Sequence, residues 1–203
     1  DGIPVPNPNG GSESTGSFSG KTSGEGISNL NPEDIESISV LTGPSATALY
    51  GSQGARGVVI VNTKKGSDGK IKINFVIDTN LYSPFVLPKF QNTYGQANPA
   101  QMESWGAKLK TPSSYSPKDF FKTGENNFKS ISLSGGTQRS QTFFSAGANQ
   151  ATGIIPNNTY NRYNFYLRHN TNLTDKLTAD FGAMYVIQND NNMIAQGQYF
   201  NPL

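Results

Sequence analysis

Glu33, Asp34 and Glu36 are the residues whose types and spacing first suggest chemistry. Clustered acids serve as general acid and base when a nucleophile, a metal or a further acid converges on them. No such partner lies nearby in the sequence, and the local pattern offers another role. Asn31-Pro32-Glu33-Asp34 reads as N-cap, first helical position and acidic first turn, so the first two acids are expected to favour a one-turn helix start. Gly51, Gly54 and Gly57 raise a second possibility, a phosphate cradle. A cradle needs its glycines after a strand and before a helix, so that the helix N-terminus meets the anion. Here the order is reversed, the spacing is GxxGxxG, and G-K-[ST] is absent. These glycines therefore read as a helix-to-strand turn. With one histidine, His169, and no cysteine, the chain offers no histidine cluster, thiolate site or disulfide. A net charge of +2 is too weak and scattered for a nucleic-acid partner. An enzyme using the acidic cluster at 33–36 stays open on these residues, but it needs a further acid or nucleophile converging there, and the sequence offers none that can be placed.

The glycines belong to a longer unit, residues 35–66. Ile35 to Leu41 is β-prone, Gly43-Pro44 breaks the strand, and Pro44 suits the first turn of a helix over Ser45 to Tyr50. Val58 to Val61 is a continuous apolar run, which predicts a strand buried on both faces. Behind this unit the pattern becomes alternation. Ile71, Ile73, Phe75, Ile77 and Leu81 share one face, with Lys72, Asn74, Asp78 and Asn80 on the other. The same period of two recurs around Ile131–Leu133, Phe144–Ala148, Tyr163–Leu167 and Leu177–Ile187. The connections alternate between short (137–140, 172–176) and long (82–127, 151–161), as in membrane barrels. Charged residues make up only 15% and aromatics 11%, which suits such a barrel.

Smaller features fit the same frame. Residues 7–26 are Gly/Ser-rich and read as a flexible loop. Ser116-Pro117-Lys118-Asp119 reads as the start of a short helix running through Phe121. Tyr82, Phe85, Tyr160, Tyr163 and Tyr185 are expected at strand ends, as an interfacial aromatic girdle. His169 falls on the apolar-face parity of its strand, where packing or a membrane interface accounts for it better than a proton relay.

The stretch I-E-S-I-S-V-L-T-G-P-S-A-T-A-L-Y-G-S-Q-G-A-R-G-V-V-I-V-N-T-K-K-G resembles the plug signature of TonB-dependent outer-membrane transporters. The match is nearest to the SusC/RagA branch of the Bacteroidetes. Thr42, Gln53 and Arg56 depart from the family pattern, which bears on the polar contacts between plug and barrel wall and leaves the fold alone. The resemblance implies a mainly β fold with a small α/β plug. Residues 1–66 would be the C-terminal part of the plug domain, and residues 67–203 the N-terminal strands of an incomplete antiparallel transmembrane β-barrel. The plug-signature positions, with structural roles, are Gly43, Pro44, Tyr50, Gly51, Gly54, Gly57 and Thr63. The resemblance further implies a fragment of a Gram-negative outer-membrane protein importing a bulky oligosaccharide or peptide, without catalytic residues, metal or cofactor, and not an enzyme. The implied partners are a SusD-like surface lipoprotein, the TonB–ExbB–ExbD complex acting through a segment upstream of residue 1, and outer-membrane lipid. A surface-exposed β-rich adhesin or glycan-binding module is the alternative, and it leaves the 35–66 signature unexplained.

Overall fold

The computed structural model describes residues 2, 5, 13–14, 19–21, 26–87, 89–100, 105–114, 116–192 and 196–197. Most of the Gly/Ser-rich stretch 7–26 lies outside these. Its described pieces are extended: β1 (Glu13–Ser14) pairs antiparallel with β2 (Ser19–Lys21). The far end of the chain supplies a third short strand to that sheet.

The 35–66 unit folds as a strand–helix–strand hairpin. β3 (Ile35–Leu41) runs into α1 (Pro44–Tyr50), and β4 (Val58–Thr63) returns antiparallel beside β3. Pro44 occupies the start of α1, where no intrahelical N–H is needed. The glycine-rich connection is more ordered than a simple turn, because Gly51–Arg56 forms a 3-10 helix. The expectation that Val58–Val61 is buried on both faces fails. Among the described residues the sheet has two strands, so each face has little to cover it, and Val59 is half exposed. Val40 on the partner strand is exposed for the same reason.

Five long strands follow in sequence order: β5 (Gly69–Tyr82), β6 (Gly124–Gly136), β7 (Ser140–Thr152), β8 (Thr159–Thr174) and β9 (Leu177–Asn191). All pairings between neighbours are antiparallel, and the sheet is open at β5 and β9. β10 (Gln196–Gly197) then pairs with β2. The loops sort as the sequence predicts. Thr137–Arg139 and Asp175–Lys176 connect strands at one end, while 83–123 and 153–158 connect them at the other. The longest loop contains a local hairpin bridged at Tyr94 and Lys108. Pro117–Asp119 forms a capped 3-10 turn that ends before Phe121, shorter than expected.

The register aligns the alternating residues into continuous rows. One row runs Phe75, Ile131, Ala146, Phe165, Tyr185, and the next Ile73, Leu133, Phe144, Leu167, Ala183. These apolar rows face outward, with Phe75 61% and Phe165 42% exposed. The opposite face carries Ser130, Ser145, Asn164, Tyr166 and Arg168, all buried. The sheet therefore buries its polar face and exposes its apolar face, the reverse of a water-soluble sheet. The expected girdle is only partly present. Tyr163 faces outward near the long-loop end, but Tyr185 sits mid-strand in an apolar row. Tyr160 shares the inner parity of Arg162 and accepts a hydrogen bond from Arg162 Nη1 at 3.3 Å. His169 lies on the outer parity, its Nδ1 2.9 Å from Thr142 Oγ1.

Candidate functional site

The buried polar face is a docking surface for the first part of the chain. The strand-sized hairpin meets it at its open end, where β3 begins and β4 finishes. Asn31 caps the 3-10 turn Pro32–Asp34 as the sequence predicts, accepting from Glu33 N at 3.0 Å. Its amide then reaches the sheet: Asn31 Nδ2 donates to Ser130 Oγ at 3.3 Å. Asn164 Nδ2 donates to the Asn29 carbonyl at 2.8 Å. The floor between these contacts is made of Ser130, Ser132, Ser145 and Gly147, which neighbour one another across β6 and β7. Small side chains let the backbone of the 3-10 turn approach the wall.

The second contact is a clasp around Thr63. Its hydroxyl lies 2.7 Å from the Tyr166 hydroxyl and accepts from Arg168 Nη1 at 2.9 Å. The same guanidinium nitrogen reaches the Thr63 carbonyl at 3.5 Å. The remaining guanidinium nitrogens form a bidentate pair with Asp180 on β9, Nε–Oδ1 3.1 Å and Nη2–Oδ2 2.8 Å. A bidentate carboxylate fixes the plane of an arginine, so Asp180 aims Arg168 at Thr63. The chain then leaves β4 close against the wall. Ser67 N donates to Ser134 Oγ at 2.9 Å, and a Cβ on Gly66 would fall on the Thr142 amide.

Asp34 lies between the two contacts. Its backbone carbonyl accepts from Lys64 N at 2.7 Å, tying the start of β3 to the end of β4. The residue is buried, 6% exposed, and its Oδ1 accepts from Asn31 Nδ2 at 3.5 Å. Burial pushes the carboxyl above the usual carboxylate range, while the Ser145 hydroxyl and the Lys64 charge act in the lowering direction. Glu33 and Glu36 do not join Asp34 in a carboxylate site. Among the described residues no group of histidine and acidic side chains could hold a metal.

Of the signature positions, Thr63 alone is part of this interface. Gly43, Gly51 and Gly57 have positive φ, at 61°, 60° and 95°, and shape the ends of α1 and the 3-10 helix. Pro44 starts α1, and Tyr50 ends it on the exposed side. Gly54 serves by close approach and not by its φ, because a Cβ there would strike the Ala46 carbonyl. The wall partners Ser130, Ser145, Asn164, Tyr166, Arg168 and Asp180 were not singled out by the sequence. The available signal was charge on the polar parity of long strands, at Arg168 and Asp180.

Comparison with known proteins places this arrangement. Residues 1–58 match the family model of the TonB-dependent Receptor Plug Domain. The TonB-dependent receptor P39 of Formosa agariphila is 27% identical over 75% of this chain, which covers 16% of that protein. The TonB-dependent receptor SusC of Bacteroides thetaiotaomicron is 29% identical over 68% of this chain, covering 14% of it. The chain thus spans about a sixth of the length of these curated relatives. Among solved structures, the RagAB peptide importer in its "closed-closed" state superposes with a TM-score of 0.59, at 19% identity, over 86% of this chain and 24% of that one. With a plug-type hairpin seated on the polar face of an open, partial antiparallel barrel, this chain is similar to the SusC/RagA-type TonB-dependent receptors.

Proposed function

We propose that this chain is the plug and adjoining wall of an outer-membrane transporter that admits a bulky nutrient. The carrying observation is the inverted polarity of the five-stranded sheet, apolar side out and polar side covered by the plug hairpin. Such a sheet is stable where lipid meets the outer face and the plug meets the lumen. In this reading residues 1–66 are plug and 67–203 are barrel wall, and the short turns face the periplasm. A wall of this kind does no covalent chemistry. It excludes solutes until the plug moves. The nutrient is an oligosaccharide or peptide, delivered by a SusD-like surface lipoprotein, and the TonB–ExbB–ExbD complex supplies the energy. The structural likeness to the RagAB peptide importer supports this assignment.

The test uses the full-length receptor in its own cells. Deletion of its gene abolishes accumulation of one fluorescent oligosaccharide or peptide class, and expression from a plasmid restores it. The receptor fractionates with outer membranes and needs detergent for extraction. Recovery in the soluble fraction, or unchanged accumulation of every class supplied, contradicts the proposal.

A further inference from the structure

We propose that Asp34 makes the seating of the plug on the barrel wall proton-sensitive, the plug being held when Asp34 is protonated and loosened when it is ionised. The inference rests on the plug–wall reading above and concerns how that contact is regulated. It begins with geometry. The Asp34 carboxyl is buried at the point where hairpin and wall meet, with no cation within ion-pair distance among the described residues. A buried carboxylate without a cationic partner is costly, whereas a neutral carboxyl is not.

Its surroundings favour the neutral form. Facing it from the plug are Asn31, Glu33 and Lys64. Strand β6 presents Ser130 and Ser132, with Lys129 on the opposite parity, and β7 presents Ser145 and Gly147. Strand β8 presents Tyr166 and Asn164, and Arg168 on the same parity is committed to Thr63 and Asp180. Ser145 Oγ is buried without a hydrogen bond of good geometry, so it offsets the cost of burying the ionised form only in part. Burial raises the carboxyl, with Ser145 and Lys64 opposing and Glu33 reinforcing. The sign follows by linkage. Seating is fully supported below the ordinary carboxylate range, and that support is lost as pH rises through the raised value.

The experiment is amide hydrogen exchange on the full-length receptor in detergent, between about pH 4 and about pH 8, corrected for the intrinsic pH dependence of exchange. The reporters are Asp34 N, bonded to the Asn31 carbonyl, and Lys64 N, bonded to the Asp34 carbonyl. Protection at both falls with rising pH, by up to about tenfold per unit within the window between the free and seated values, while amides inside β7 and β8 stay protected. In Asp34→Asn the reporters stay protected at every pH. In Ser145→Ala, which removes a lowering partner, the fall moves to higher pH. A flat wild-type profile, or the same fall in Asp34→Asn, overturns the proposal. Should Asp34→Asn fail to insert, an unmoved fall in Ser145→Ala overturns it. A receptor with the predicted profile that carries no nutrient would refute the transport reading and leave this one standing.

Discussion

At the residue scale, the plug is fastened by side chains far apart in sequence. Thr63 and Tyr166 are separated by 103 positions, and Asn31 and Ser130 by 99. Arg168 is the central member, because its guanidinium joins two strands of the wall to the last residue of β4. Arg168→Met removes a charged hydrogen bond to Thr63 and leaves Asp180 partly solvated, since the Asp180 side chain is 39% exposed. The expected loss is about 1–3 kcal/mol of plug seating, and Thr63→Val loses about 1 kcal/mol. Because both variants break one contact, the double variant loses less than the sum. The urea midpoint at which the β4 amides lose protection reads all three, and strict additivity would remove the clasp from the account. Little of this was legible beforehand. Sequence showed Arg168 and Asp180 on the polar parity of their strands, but nothing local says which distant residue a luminal arginine will meet.

At the scale of elements, alternation was the most legible property. Each barrel strand lies between two different surroundings, so period two is imposed along its whole length. The N-cap at Asn31 and the helix start at Pro44 were legible too, because their causes are local. The burial of β4 was not. A continuous apolar run resembles a central strand, but burial depends on what covers the strand, and here β3 and β4 form a sheet of two. Glycine has a sharper meaning in the structure than in the sequence. Gly54→Val drives a side chain into the Ala46 carbonyl and should displace α1 from the 3-10 helix. Gly66→Ala drives a methyl into the Thr142 amide and should lift the 64–68 segment off β7. Overpacking of this kind costs about 1–3 kcal/mol. Both variants should lower the amount of correctly inserted receptor, as measured in the outer-membrane fraction. Wild-type levels for Gly66→Ala would show that this segment is not held against the wall.

At the scale of the whole molecule, the proposed arrangement is a hairpin inside a barrel whose apolar face meets lipid. Among the described residues both edges, β5 and β9, carry unpaired strand backbone, which in a membrane requires further partners. That fits a chain spanning about a sixth of its relatives. Lipid exposure of the outer rows predicts that Phe165→Arg, placed mid-strand among Ala146 and Tyr185, reduces insertion by about 2–4 kcal/mol. Urea titration of the folded receptor in bilayers checks it, and a neutral effect would mean that this face is not in hydrocarbon. The most direct test of the central claim is a short thiol–thiol cross-linker applied to intact outer membranes carrying the full-length receptor with Thr63→Cys and Tyr166→Cys. The account predicts one internally linked species, formed without detergent and absent from either single variant. Two readily labelled, unlinked thiols in a correctly inserted receptor would contradict it.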